Sequence, residues 1–376
     1  MNGPLAGLRV VEFSGIGPGP LAGQLLADLG ADVVTIDRAS CAAPDRSDVN
    51  RRNKRSVALD LRRPEGVEAA LRLINHADVL IEGFRPGVME RLGLGPEDCR
   101  VRHPRLVYGR MTGWGQTGPL AHTAGHDLNY LALTGALGAI GPAEGPPLPP
   151  LNLVADFGGG AMFLVFGVLA ALFERSRSGL GQVIDAAMVD GVPAMMGLLY
   201  GLLARGQWSE RRGSNLLDGG APFYACYATF DGRHMALGAI EPPFFADFLL
   251  RAGLPAEWSA AQADPARWPA LREAIAEAFA RHTQAHWCRV FDGSDACVAP
   301  VLAFSEAAAH AHLAARNTLS QEDGVWQAAP APRFDRTPAR RPRPPGALGA
   351  DTEAVLAEAG ATSADLQRWR HAGALT

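Results

Sequence analysis

Short apolar runs alternate with helical patterns over the first hundred residues. LRVVEF, DVVTID, DVLIEGF and RLVYGRM have the length and β-branched content of strands, whereas PLAGQLLADLG and PEGVEAALRLINHA repeat their apolar residues at helical spacing. Strands separated by helices of that length pair through crossovers, so the pattern predicts a mostly parallel sheet with helices on its faces, an α/β fold. Pro64 and Glu65 open the second helix and Gly30 closes the first.

The rhythm changes after residue 120. GPAEGPPLPP at 141–150 reads as a surface loop, and a long apolar helix is expected from 158 to 175. Its most apolar part, AMFLVFGVLAAL, ends in Glu174 and Arg175 and is too short to span a bilayer comfortably, which predicts a buried helix. After GQVIDAAMVDG the helical character continues to about residue 206. YACYATFDGRHMALGAI then reads as a β-hairpin around Asp231–Gly232 and opens a second, smaller domain. Two helical patterns follow, FFADFLLRAGL and ARWPALREAIAEAFARH. PAPRFDRTPARRPRPPG at 330–346 cannot be helix and is expected to be a strap or tether.

Composition narrows the class. The 376 residues, 48% apolar and 20% charged, can bury one large core or two moderate ones. A formal net charge of −4 with both signs interspersed leaves no basic footprint for nucleic acid and no polybasic membrane signal. Cys41, Cys99, Cys226, Cys288 and Cys297 are odd in number and lack a C-x-x-C pair, which points away from a disulfide framework or a zinc site. A reducing cytoplasm is the expected compartment, and neither a leader nor a lipidation signal is expected.

The candidate chemistry sits at loops. RVVEFSGIGPGP followed by Asp37 imitates a dinucleotide fingerprint, but Pro18 and Pro20 remove backbone N–H groups that would cradle a pyrophosphate. Backbone must still pass close to something there, a ligand or a crossing helix. Arg38, Arg51, Arg52, Arg55, Arg85 and Arg91 cluster near predicted strand ends, where an α/β sheet binds ligands, with Arg38 and Arg85 directly after strands; they are either a solvated surface with a few ion pairs or a phosphate site for a nucleotide or coenzyme A. His126 opens an apolar helix and is either a core or capping histidine or an acid/base group. Asp156, before three consecutive glycines, and Glu241, before two prolines, are acids at predicted helix starts. Spacing alone does not bring them together. Met188, Met195 and Met196 are plain core or a tolerant surface for an apolar chain.

A resemblance joins these residues. GLRVVEFSGIGPGPLAGQLLADLGADVVTIDR, VALDLRRPEG, ADVLIEGFRPGVMERLGLG, RMTGWGQTGP, AGHDLNYLALTGAL, LNLVADFGGG, GQVIDAAMVDG and NLLDGGAPFY closely resemble the racemase branch of the family III CoA-transferase superfamily. The resemblance runs from the first strand to about residue 335. It implies a Rossmann-like large domain, a smaller α+β domain and an interlocked homodimer. The partition expected is 1–190 for the large domain, 191–222 for a helical linker, 223–305 for the small domain and 306–376 for a segment returning to the large one. It further implies His126 and Asp156 as the catalytic pair with Glu241 supporting the histidine. Coenzyme A contacts fall on Arg38, on Leu59, Asp60, Leu61 and Arg62, on Gly83, Phe84 and Arg85, on Arg91, and on Gly125, Asp127 and Tyr130. Arg62 stands where the family often has Lys and Phe84 where Tyr is common. Asp127 can instead be a helix cap. Transferases of the superfamily use an aspartate at the position of Asp156 as nucleophile and generally carry an aromatic residue where this chain has His126. The histidine therefore implies proton transfer at C2 of a 2-methylacyl thioester, with backbone N–H groups near Asp127 as donors to the enolate oxygen. A CoA-transferase acting through Asp156 is the alternative. Coenzyme A enters as part of the acyl-CoA substrate, and no separate cofactor or metal is expected.

Overall fold

The computed structural model describes residues 3–38, 47–339 and 341–375; Cys41 lies outside them. Its contacts divide the chain into two compact units. One comprises Met1–Thr134, Leu151–Met195 and Asn317–Thr376; the other comprises Gly135–Pro150 and Met196–Arg316. These divisions differ from the expected partition: the Pro-rich loop groups with the second unit, and 306–316 does so as well. Arg212 holds the loop there, donating to the carbonyls of Gly138, Pro142 and Gly145.

The first unit is built on a six-stranded parallel sheet: β1 (Arg9–Phe13), β2 (Asp32–Arg38), β3 (Arg55–Leu59), β4 (Val79–Glu82), β5 (Val107–Thr112) and β6 (Val183–Ala187). The order is β3-β2-β1-β4-β5-β6, which puts the topological switch between β1 and β4. Helices α1 (Pro18–Asp28), α2 (Pro64–Asn75), α3 (Val88–Arg91) and α4 (Pro96–Arg102) follow the first strands, and α1, α2 and α4 each open on a proline. Between the strands and α2 lies a core that includes Val11, Ile36, Val57, Leu73, Ile74 and Leu80.

Past β5 the chain forms α5 (Asp127–Leu133), then α6 (Leu153–Ser178), and after β6 α7 (Met188–Met195). Helix α6 is longer than its sequence pattern. It runs Leu153–Ser178, opening with a π-helical stretch, Leu153–Met162, before becoming α-helical. At 26 residues, with mean hydropathy 1.9 in its most apolar window, it is long and apolar enough to cross a membrane, which corrects the expectation drawn from its apolar core alone. It nevertheless lies against the sheet: Leu164, Val165, Val168 and Ala171 are buried, and the Leu164 side chain packs over Gly109 of β5.

The C-terminal residues belong to the first unit. The hairpin Leu319–Glu322/Val325–Ala328 is tied down by buried Arg52, which donates to the Ala328 carbonyl at 2.8 Å and to Asp28 at 2.5 Å. In the basic Pro-rich segment, the Arg343 backbone exchanges two hydrogen bonds with Asn53. Trp369 is fully buried, and Leu375 bridges to Leu59 at the edge of β3.

In the second unit, Tyr224–Ala228 and His234–Gly238 form the expected hairpin, with Gly232 at φ 72° in its turn and Val298–Pro300 adding a third strand. Helices Pro242–Arg251, Trp268–Ala280 and Gln284–Phe291 pack Phe245, Phe248, Phe279, Trp287 and Phe291 beneath it.

Candidate active site

The carboxyl ends of the strands open on a cavity of about 570 Å³ within the first unit. The loop of residues 14–17 between β1 and α1, the first residues of α1, the end of β4 with Gly83 and Phe84, and the end of β5 form its walls. Arg38, Gly125, His126, Tyr130, Asn152, Asp156 and Met188 complete them.

His126 is neither a core histidine nor a side-chain cap. It is the exposed residue immediately before α5, in extended backbone, and its N–H donates to Asn129 Oδ1 at 3.0 Å. Its ring is thereby left to the cavity. Asp156 lies in the first turn of α6, half-buried. Gly17, at φ 74°, keeps the β1–α1 loop within reach of it: a Cβ there would stand 3.4 Å from Asp156 Oδ2.

The glycines after Asp156 have a different use from the one expected of them. Gly159 and Gly160 face Val192 and Met188 of α7, and Gly158 meets Met195. A Cβ at Gly191 would overlap the Gly159 carbonyl. These residues bring α6 and α7 together, and that packing fixes the turn carrying Asp156. No strand precedes the turn.

Burial, and then the neighbouring Asp127, push the Asp156 carboxyl above the usual aspartate range; a hydrogen bond with Asn152 and the nearness of His126 oppose the shift. Asp127 itself is buried. Its Oδ2 accepts from the Ala155 and Asp156 N–H groups, each at 2.8 Å, while Oδ1 is buried without a hydrogen-bond partner among the described residues. Its side chain is thus a cap, but of α6 rather than of α5, and it is not among the residues lining the cavity. Tyr130 packs edge-to-face on Trp114 at 4.8 Å, and burial, then Asp156 and Asp127, push its phenol up to about 12. Gly113 and Gly125 make room for those rings.

The other expected contacts are spread more widely. Arg38 is exposed at the end of β2, and Phe84 is held by the Glu82 carboxylate, which accepts its N–H at 2.8 Å. Arg85 and Arg91 are exposed on the β4–α3 connection and on α3. Leu59 is buried at the end of β3, with Leu61 packed on the core. Asp60 receives the forked Arg62 guanidinium at 2.8 and 2.9 Å, which holds its carboxyl at about 2. None of Leu59, Asp60, Leu61, Arg62, Arg85 and Arg91 lines the cavity. Glu241 belongs to the second unit, exposed at the start of Pro242–Arg251.

Two residues of the site escaped the sequence reading. Asn152 has a favoured helix-capping side chain just before α6, and that was a usable signal. Glu82 is a charge inside the apolar run DVLIEGF; buried, it accepts from Arg110 Nε at 2.9 Å and from the Phe84 N–H, bracing the loop at the end of β4.

The model of CoA-transferase family III matches residues 5–352. The chain belongs to that family. It is 47% identical to the alpha-methylacyl-CoA racemase of Mus musculus, the match covering 95% of this chain and 93% of that protein. The corresponding racemase of Homo sapiens is 45% identical over the same shares, 95% and 93%. A crystal structure of a CAIB/BAIF family protein from Brucella suis superposes with a TM-score of 0.78 at 26% identity, covering 96% of this chain and all of that one. The parallel α/β architecture is therefore the family's fold.

Proposed function

We propose that the chain is an isomerase that interconverts (2R)- and (2S)-2-methylacyl-CoA thioesters by moving the C2 proton from one face to the other through an enolate. The observation that carries this reading is the presence of His126 and Asp156 on the wall of one cavity, in a chain of this family whose racemase relatives match it over nearly its whole length.

A neutral imidazole takes the proton from one face, and a protonated carboxyl returns one to the other. In the reverse direction the roles exchange. Burial and Asp127 favour the protonated form of Asp156, the form that donates. The same shift disfavours the carboxylate that a transferase needs as nucleophile. Each positioned acid or base contributes on the order of 10² to 10⁴ in rate. The enolate oxygen needs a further donor, for which this reading uses the amides that open α5 beside His126. The CoA phosphates are met by Arg38, Arg85 and Arg91, and Met188, beside Asp156, is apolar bedding for the acyl group. A second copy of the chain, interlocked with the first, would cover the exposed Met162, Phe166, Leu169 and Phe173 along α6.

Proton NMR of a 2-methylacyl-CoA in deuterated water tests the reading. The wild-type chain should exchange C2-H, and His126→Ala should lose at least about a hundredfold of that rate while still binding the ester. Incubation with acyl-CoA followed by hydroxylamine should trap no acyl-enzyme at Asp156. A trapped adduct without C2 exchange would turn the assignment to CoA transfer.

A further inference from the structure

We propose that the Asp127 side chain is the positioning group that sets the span between His126 and Asp156; the proposal rests on the proton-transfer reading above. Asp127 is covalently next to His126, yet its side chain serves the other segment. Its Oδ2 takes both N–H groups of Ala155 and Asp156 at 2.8 Å. These amides belong to the first turn of α6, where helix N–H groups have no intrahelical acceptor. A carboxylate accepting two such bonds is a charge-assisted cap, reinforced by the helix dipole. The residue therefore ties the turn carrying the acid to the turn carrying the imidazole, so that α5 and α6 cannot shift apart independently.

The second oxygen gives an independent indication. Oδ1 is buried and without a hydrogen-bond partner among the described residues, an arrangement that costs stability. The nearness of this carboxyl has a consequence for its neighbour. After burial, Asp127 is the chief influence raising the Asp156 carboxyl. The opposing influences are His126 and Asn152, and Tyr130 faces the same carboxyl as a neutral phenol. Gly17, just before α1, stands beside the Asp156 carboxyl, and Pro18 of α1 packs on Gly160. Helix α7 brings Met188 and Val192, with its Asp190 exposed. The same side chain thus holds Asp156 in place and keeps it in the donating form.

Two substitutions separate the effects. Asp127→Asn keeps an oxygen able to accept both amides and removes the charge; Asp127→Ala removes both. Hydrogen exchange at the Ala155 and Asp156 amides reads the tie without turnover. The expected result is wild-type protection in Asp127→Asn and lost protection in Asp127→Ala. In C2-H exchange, Asp127→Ala should lose about tenfold to a hundredfold in kcat with KM for the CoA ester little changed, as expected of a misplaced reacting group. Asp127→Asn should recover part of that loss, and the acid limb of its kcat–pH profile should move to lower pH, because Asp156 then ionises more readily. Unchanged amide protection and kcat in Asp127→Ala would overturn the proposal. So would a loss confined to KM, or an acid limb in Asp127→Asn that stays where the wild type has it. If wild-type protein shows no C2 exchange, the racemase reading fails instead, and the amide measurement still judges the tie on its own.

Discussion

Glu12 and Asp127 are both almost wholly buried carboxylates of one unit, and their surroundings are opposite in kind. Glu12, the penultimate residue of β1, has a cation: Lys54 Nζ lies 2.6 Å from Oε2 and also donates to the Pro20 carbonyl at 2.9 Å. Gly23 of α1 leaves the space these groups fill, since a Cβ there would overlap the Glu12 carboxylate. Asp127 has no cation among its described partners, two backbone amides on one oxygen, nothing on the other, and a second carboxyl for a neighbour. The first arrangement neutralises itself and serves the fold. The second leaves charge uncompensated beside a cavity, as expected where a group's ionisation is part of the chemistry.

Removing the cation from the closed pair should have the largest effect on folding. Lys54→Met strands a buried charge, which costs about 3–5 kcal/mol. Urea unfolding should show the midpoint falling accordingly, and Glu12→Met in the same chain should restore most of it, because an apolar pair of similar volume avoids the stranded charge. If Lys54→Met were as stable as wild type, the contrast between the two carboxylates would not hold.

The bed on which Asp156 rests comes next in size. Gly191→Ala forces a methyl group against the Gly159 carbonyl, an overpacking that costs about 1–3 kcal/mol. Because α7 and the first turn of α6 would have to part, kcat should fall along with the melting temperature. A variant that loses stability and keeps full kcat would show that the Gly158–Gly160 contacts do not hold the acid in place.

Much of the sheet was legible because its strands are apolar runs of the right length between helical spacers. Two strands were not. RSVAL of β3 is hidden in the basic run NRRNKRS, and VIDAA of β6, on the sheet's edge, is short and Ala-rich and continues into helical sequence. The pairing of His126 with Asp156 was legible only through family resemblance, since one precedes α5 and the other lies in α6, and no periodicity links them. The part played by the Asp127 side chain was illegible for the same reason: it depends on a contact with amides 28 and 29 residues away. The triple glycine carried a true signal, close approach, without saying of what; a helix and a ligand make the same demand on a backbone.

The smallest effect is also the most direct comparison of the two carboxylate surroundings, because it concerns the ionisation of Asp156 itself. Its carboxyl is raised in the folded chain, so the protonated form is the one the fold favours. The stability this contributes is fully present below the unfolded aspartate pKa and is lost as pH rises through the folded one. Above that point the folded chain carries a desolvated charge next to Asp127. Asp156→Asn removes the ionisation while keeping a polar group beside Asn152. Calorimetry from pH 4 to pH 8 should find the variant melting above wild type at the alkaline end, with the two curves converging as pH falls. A difference of constant size across that range, or a variant melting below wild type at pH 8, would mean that burial and Asp127 together do not raise the Asp156 carboxyl, and the contrast with Glu12 would reduce to one of geometry.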